Sequence, residues 1–234
     1  MVLVREFRVI LPLTVEEYRV GQLFSVAKTS QQETSGGEGV EVLKNEPYKD
    51  DQNEGQYTEK IYHLGARLPG WIRALIPSSA LKLEEKAWNA YPYCKTVLKS
   101  PFLGEKFTFI IESRHAQDNG TQENIHNLPE KDLKNREVEF VDITNPVDKK
   151  EYKPEEDPTL VRSEKANRGP LKHGSWRIER DLFMKFHRQV YCWMDEWFGW
   201  TMEDVRQFEA KTKENLDKKL ASGETDPNAS KISD

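Results

Sequence analysis

Few residues of this 234-residue chain have the types and spacing that chemistry requires. Its five histidines, His63, His115, His126, His173 and His187, lie far apart and never at metal-ligand spacing. Each reads as a solvated or hydrogen-bonded side chain. The two cysteines, Cys94 and Cys192, form no C-x-x-C pair and have no base at motif spacing. There is no G-x-S-x-G elbow, no G-x-x-x-x-G-K-S/T loop and no H-E-x-x-H. Gly36-Gly-Glu-Gly39 lacks a feeding strand and a Lys-Ser/Thr ending, so it reads as a plain turn. The expectation is a protein that is not an enzyme, with no metal and no cofactor.

Strand parity is more informative. In Gln56-Tyr-Thr-Glu-Lys-Ile-Tyr-His-Leu64, the residues Thr58, Lys60, Tyr62 and Leu64 share one face, so a hydroxyl and an ammonium stand beside apolar bulk. Cys94 and Thr96 share a face with Leu98, and Ser113 follows Phe107, Phe109 and Ile111. Apolar stripes that repeatedly end in small polar groups fit a cavity with a polar end, suited to the phosphate of an amphiphile above its acyl chains. Parity alone also allows a plainer arrangement, in which Lys60 faces water at the strand end.

The elements that carry these residues follow from periodicity. Residues 4–13 read as a strand, and Thr14-Val-Glu-Glu17 is a capping box opening a helix to about Lys28. Period-two runs follow at Val40–Leu43, Gln56–Leu64, Leu81–Trp88, Tyr93–Leu98, Phe107–Ser113 and Arg136–Ile143. Several stand at hairpin spacing and predict one mostly antiparallel sheet. Pro69–Pro77 reads as a short helix between prolines, and 144–175 as a long polar surface excursion. From Ile178 the period turns helical through Leu182, Phe183, Phe186, Val190, Trp193 and Trp197, a spacing that makes the tryptophans helix core rather than interface anchors. Gly199 offers a stop, and Thr201-Met-Glu-Asp204 opens a second helix. Strands first and long helices last make an α+β protein, expected as a single domain over 1–220 with a disordered tail over 221–234.

Composition narrows the partners. A net charge of −5 and a pI near 5.7 leave no basic surplus for nucleic acid. Two thiols in a chain this long suggest a reducing, cytoplasmic setting. The first residues interrupt their apolar run with Arg5, Glu6 and Arg8, which fits neither a signal peptide nor a spanning helix. Val2 and the Lys-Ile-Ser-Asp end match no common lipidation signal, so membrane contact is expected to be transient and peripheral.

Several longer runs carry a resemblance: Lys44-Asn-Glu-Pro-Tyr48, Gly55-Gln-Tyr-Thr-Glu-Lys-Ile-Tyr-His-Leu64, Glu85-Lys-Ala-Trp-Asn-Ala-Tyr-Pro-Tyr-Cys94, Gly120-Thr-Gln-Glu-Asn124, Glu155-Glu-Asp-Pro158, Arg168-Gly-Pro-Leu171 and Phe186-His-Arg-Gln189. Together they resemble the class I phosphatidylinositol transfer proteins, from Met1 to about Leu171 and again from about Glu179 to about Leu216. The resemblance implies a START-like fold, in which a concave, mostly antiparallel sheet and long C-terminal helices enclose one phosphatidylinositol or phosphatidylcholine molecule. It implies a monomer that shuttles this lipid between membranes without covalent chemistry.

The family's inositol-binding residues fall on Thr58, Lys60, Asn89 and Glu209. Those near phosphate and choline fall on Gln22, Cys94, Thr96 and Ser113, the last replacing a threonine while keeping the hydroxyl. Ser163 stands at the family's phosphorylatable serine; the plainer reading of that position is an exposed serine among charges. Between Leu171 and Glu179 the chain lacks about forty residues of the family pattern, enough for a strand, a loop and the front of a helix. In the family that block carries a further lysine near the head group, the membrane-docking tryptophans and part of the sheet. Its absence leaves two further expectations open, a lipid sensor or adaptor with impaired exchange and a destabilised variant.

Overall fold

The computed structural model describes residues 4–34, 39–63, 81–147, 149, 152–172 and 184–222, without the side chains of 105, 106 and 184. The expected loop at 36–38, the short helix between prolines, Leu64, Leu182, Phe183 and the tail beyond 222 lie outside them. The chain forms two compact units, Met1–Ser25 with Ala116–Val205 and Val26–His115 with Arg206–Asp234.

In the first unit, β1 (Arg5–Val9) is followed by α1 (Val15–Glu33), whose residues up to Ser25 belong here. The capping box forms as the sequence predicts. The Glu17 amide donates to Thr14 Oγ1 at 3.2 Å, and the Thr14 amide to Glu17 Oε2 at 2.8 Å. Arg168 grips the same carboxylate through both terminal nitrogens, each at 2.8 Å.

The helix α2 (Glu130–Asn135) leads into β7 (Glu137–Val141), which pairs with β1 in parallel, Arg5 opposite Glu137 and Val9 opposite Val141. The expected mostly antiparallel sheet forms from the five strands between Gly39 and Arg114, and the run at 136–143 stands instead in this separate two-stranded sheet. The long connection from Arg114 to Glu137 is no hairpin turn, so β7 is free to run alongside a distant strand. Inward parity buries Glu6, whose charge is met by Arg8 at 2.6 Å and by Arg136.

Residues 144–172 are also less superficial than their polarity implies. Glu156, in a single 3-10 turn over Pro154–Glu156, is buried and accepts a hydrogen bond from Gln189 Nε2 at 2.9 Å. Arg188 donates to the carbonyls of Glu156 and Asn145 at 2.8 and 2.9 Å, which ties the excursion to helix α3 (Met184–Cys192). The helical run breaks at Trp193 into α4 (Met194–Trp197), and Gly199, at φ 84°, ends it. Val190, Trp193, Met194 and Trp197 are buried with Leu13, Phe24 and Ile143, so both tryptophans are core, as their spacing predicts. A Cβ on Gly21 would stand 2.8 Å from the Trp197 indole, and glycine is what permits this approach.

The second unit holds an antiparallel sheet ordered β2 (Gly39–Lys49), β3 (Glu54–His63), β4 (Lys82–Ala90), β5 (Tyr93–Ser100) and β6 (Gly104–Arg114). These strands are longer than the period-two runs, because backbone pairing continues where alternation is weak. A bulge at Leu43 shifts the β2 register, so that Val42 opposes Lys60 while Asn45 opposes Thr58. Without that extra residue, Val42 and Asn45 would point to opposite faces. The last helix, α5 (Met202–Ser222), opens on a Thr201–Asp204 box, the Asp204 amide donating to Thr201 Oγ1 at 3.2 Å and the Thr201 amide to Asp204 Oδ2 at 2.7 Å. Its residues from Arg206 belong to this unit, where Gln31 donates to Thr212 Oγ1 at 2.6 Å and Lys213 to the Val42 carbonyl at 2.5 Å.

Candidate functional site

Strand registry turns the separate parities into one surface. Across β3, β4, β5 and β6 run three rows: Gln56, Asn89, Cys94, Ser113; then Thr58, Ala87, Thr96, Ile111; then Lys60, Glu85, Leu98, Phe109. Thr58, Lys60, Asn89, Cys94, Thr96 and Ser113 therefore stand on one face of one sheet. On β4 this face is the covered one: Leu83, Glu85 and Ala87 are shielded while Lys82, Glu84 and Lys86 are exposed. Along β5 and β6 the rows pass from the Cys94 thiol and the Ser113 hydroxyl to Leu98 and Phe109.

Lys60 does not face water. Its side chain is 12% exposed, and its ammonium meets the Glu85 carboxylate at 3.2 Å from the directly opposite position on β4. Tyr62 donates to the second oxygen of Glu85 at 2.7 Å. Burial by itself would lower the Lys60 pKa, but Glu85, Tyr62 and Glu209 outweigh it and hold the ammonium charged above its usual range. Burial, with the Glu85 charge, pushes the Tyr62 hydroxyl upward, so it remains a donor. Glu85 escaped the reading of the sequence, although β4 parity places it with Leu83, Ala87 and Asn89. What marks it out is its position opposite Lys60, which only the register supplies.

Glu209, on α5, reaches the same region. It accepts from Asn45 Nδ2 at 3.2 Å, and Asn45 opposes Thr58. Arg206, one turn earlier on the helix, donates to the same carboxylate at 2.6 Å. Asn89 accepts from the Cys94 thiol at 3.2 Å, so that thiol leans on a neutral amide oxygen that cannot remove its proton. The Cys192 thiol is pushed up to about 12, chiefly by burial, and is equally unsuited to nucleophilic work. Among the described residues no group of three His, Cys, Asp or Glu could hold a metal. The four described histidines have partners: His63 with Glu41 at 2.9 Å, His187 with Tyr18 at 2.9 Å, His115 stacked on Tyr91, and His126 likewise engaged, while His173 lies outside the described residues.

Two expected residues lie in the other unit. Gln22 is on α1, with its Nε2 buried and bonded to nothing among the described residues, and Ser25 Oγ nearby on that helix is in the same condition. Ser163 is 3% exposed and donates to Asp195 Oδ1 at 2.5 Å, so it is not an exposed serine among charges. The Glu164 and Lys165 amides converge on the same aspartate at 3.2 and 3.0 Å. Together the serine hydroxyl and the two amides hold the Asp195 carboxyl below its usual range.

The family model for phosphatidylinositol transfer protein matches residues 2–179 and 177–214. The chain is 69% identical over 252 residues to Phosphatidylinositol transfer protein 1 of Dictyostelium discoideum, a match covering 93% of this chain and 96% of the relative. It is 42% identical over 255 residues to the human Phosphatidylinositol transfer protein beta isoform, covering 93% of this chain and 94% of that one. Both matches are longer than the 234 residues of the chain, so these relatives hold residues it lacks, and the family match breaks at 177–179. With the family model spanning most of its length and a relative this similar, the chain belongs to the phosphatidylinositol transfer protein family.

Proposed function

We propose that this protein binds one molecule of phosphatidylinositol or phosphatidylcholine and carries it between membranes without covalent chemistry. The observation that carries the reading is the convergence of Thr58, Lys60, Glu85 and Asn89 on one sheet face, with Glu209 beside it. A ring of hydroxyls is both donor and acceptor, and so is this set: two carboxylates accept, an ammonium donates, and a hydroxyl and an amide do both. Because Glu85 already balances Lys60, the group suits a neutral polyol better than a bare phosphate. A head group without hydroxyls leaves these groups unmatched, at a cost of roughly 1–3 kcal/mol for each one buried.

Cys94, Thr96 and Ser113 are adjacent across β5 and β6, which supports their service to the phosphate and choline region; for Gln22 the family resemblance alone supports that role. The apolar part of the face on β5 and β6, Leu98 and Phe109, suits acyl chains. The protein is proposed to work in the cytoplasm, in transient contact with membrane surfaces, with phospholipid as cargo and no cofactor. Ser163 is proposed as a regulatory position, because a phosphate there would break its bond to Asp195 and set two anions together. A second reading, a lipid holder with slow exchange or a weakened variant, is favoured by the break in the family match at 177–179.

The test is mass spectrometry of the organic extract of the purified protein, followed by vesicle-to-vesicle transfer. Stoichiometric phosphatidylinositol or phosphatidylcholine is expected in the extract, and a lipid-free, well-folded protein sinks the reading. Bound lipid that does not exchange selects the second reading.

A further inference from the structure

The Glu209 carboxylate is held on one oxygen only. Asn45 Nδ2 and Arg206 Nη1 both donate to its Oε2, at 3.2 and 2.6 Å, and among the described residues its Oε1 has no partner. The Asn45 amide is itself oriented, because Gln56 Nε2 donates to its Oδ1 at 2.6 Å. Turned over, that amide would set its oxygen against the Glu209 carboxylate and its nitrogen against the Gln56 nitrogen. The bulge at Leu43 brings Asn45 onto the face of Thr58, where these contacts close. All four residues belong to the second unit. Glu85, the other carboxylate beside Thr58, has a partner on each oxygen, Lys60 on one and Tyr62 on the other. Glu209 Oε1 is thus the carboxylate oxygen of the group that stays open.

We propose, on the strength of the lipid reading, that Asn45, Arg206 and Gln56 are positioning residues that set head-group preference: they hold Glu209 turned so that its Oε1 accepts a hydroxyl of the inositol ring. A glutamate that is loose before binding loses rotamer freedom when the ligand fixes it, whereas one already fixed does not. The two donors on Oε2 therefore make the site more selective without touching the ligand. Choline has no hydroxyl to offer Oε1, so phosphatidylcholine draws no benefit from the arrangement.

Equilibrium loading of the full chain tests it. The protein is incubated with vesicles of equimolar phosphatidylinositol and phosphatidylcholine and re-isolated, and the ratio of the two bound lipids is read by mass spectrometry. The ratio is the readout because a merely structural loss lowers both lipids together. Asn45→Asp keeps the side chain's shape but replaces the donor with a second carboxylate, and should lower the share of phosphatidylinositol about fivefold, the worth of one exposed hydrogen bond. Arg206→Met is expected to do the same, and Arg206→Lys, which returns a donor, to recover most of the loss. Gln56→Glu removes the donor that orients Asn45, and should lower the ratio with Asn45 and Glu209 both in place. An unaltered chain that takes up neither lipid sinks the lipid reading and the proposal together. An unaltered chain that takes up lipid, with the same ratio in Asn45→Asp and Gln56→Glu or with Arg206→Lys no better than Arg206→Met, overturns the proposal alone.

Discussion

Lys60 and Glu85 face each other directly across β3 and β4, 3.2 Å apart, with about a tenth of each side chain exposed, and Tyr62 completes the carboxylate's shell. A covered ion pair of this kind is costly to split, because removing one partner strands the other. Glu85→Ala is expected to lower stability by about 3 kcal/mol in urea denaturation. Lys60→Met with Glu85→Leu should recover most of that loss and still fail to retain phosphatidylinositol. Equal instability of the single and double variants would show that the pair is not the issue.

Thr58 stands one row from that pair, opposite Ala87. Thr58→Ala should therefore slow phosphatidylinositol transfer about tenfold, the equivalent of one lost buried hydrogen bond, and barely alter phosphatidylcholine transfer. Parallel vesicle assays with the two lipids decide the matter; equal loss for both argues against the head-group assignment.

At Gly21 no side chain fits, since a Cβ would stand 2.8 Å from the buried Trp197 ring. Gly21→Ala should cost about 1–3 kcal/mol by overpacking, visible as a lower thermal midpoint and an altered near-UV tryptophan signal. An unchanged midpoint would mean that the indole moves aside freely.

The Glu17 carboxylate links the start of α1 to Arg168. Burial raises its pKa, but hydrogen bonds from Arg168 and Thr14 prevail and set it below the ordinary value of 4.5. A carboxyl depressed in the folded state contributes stability that is complete above its unfolded pKa and disappears as the pH falls through its folded one. The stability gap between the native chain and Arg168→Met is thus expected to be constant near neutrality and to narrow on acidification below about pH 4.5. Denaturation midpoints across that range measure it, and a gap that widens on acidification would refute the coupling.

Ser163→Asp sets a second carboxylate against Asp195 and should expose the 163–168 turn. Limited proteolysis is the measurement: faster cleavage there is expected, and unchanged resistance would mean that the turn holds without its serine.

Much of this protein was legible in its sequence because the information was local. The capping boxes at Thr14 and Thr201, the core tryptophans and the shared faces of Thr58 with Lys60 and of Cys94 with Thr96 all follow from periods of two and 3.6 residues. What tertiary structure alone decided is which strand lies beside which, and in what register. That gave Lys60 its partner Glu85, 25 positions away, brought Glu209 to Asn45 beside Thr58, laid β7 parallel to β1, and buried Ser163 against Asp195. A period states the face on which a side chain stands. It carries no information on the residue that will stand opposite, because that depends on turn lengths, on a bulge at Leu43 and on contacts closed across most of the chain.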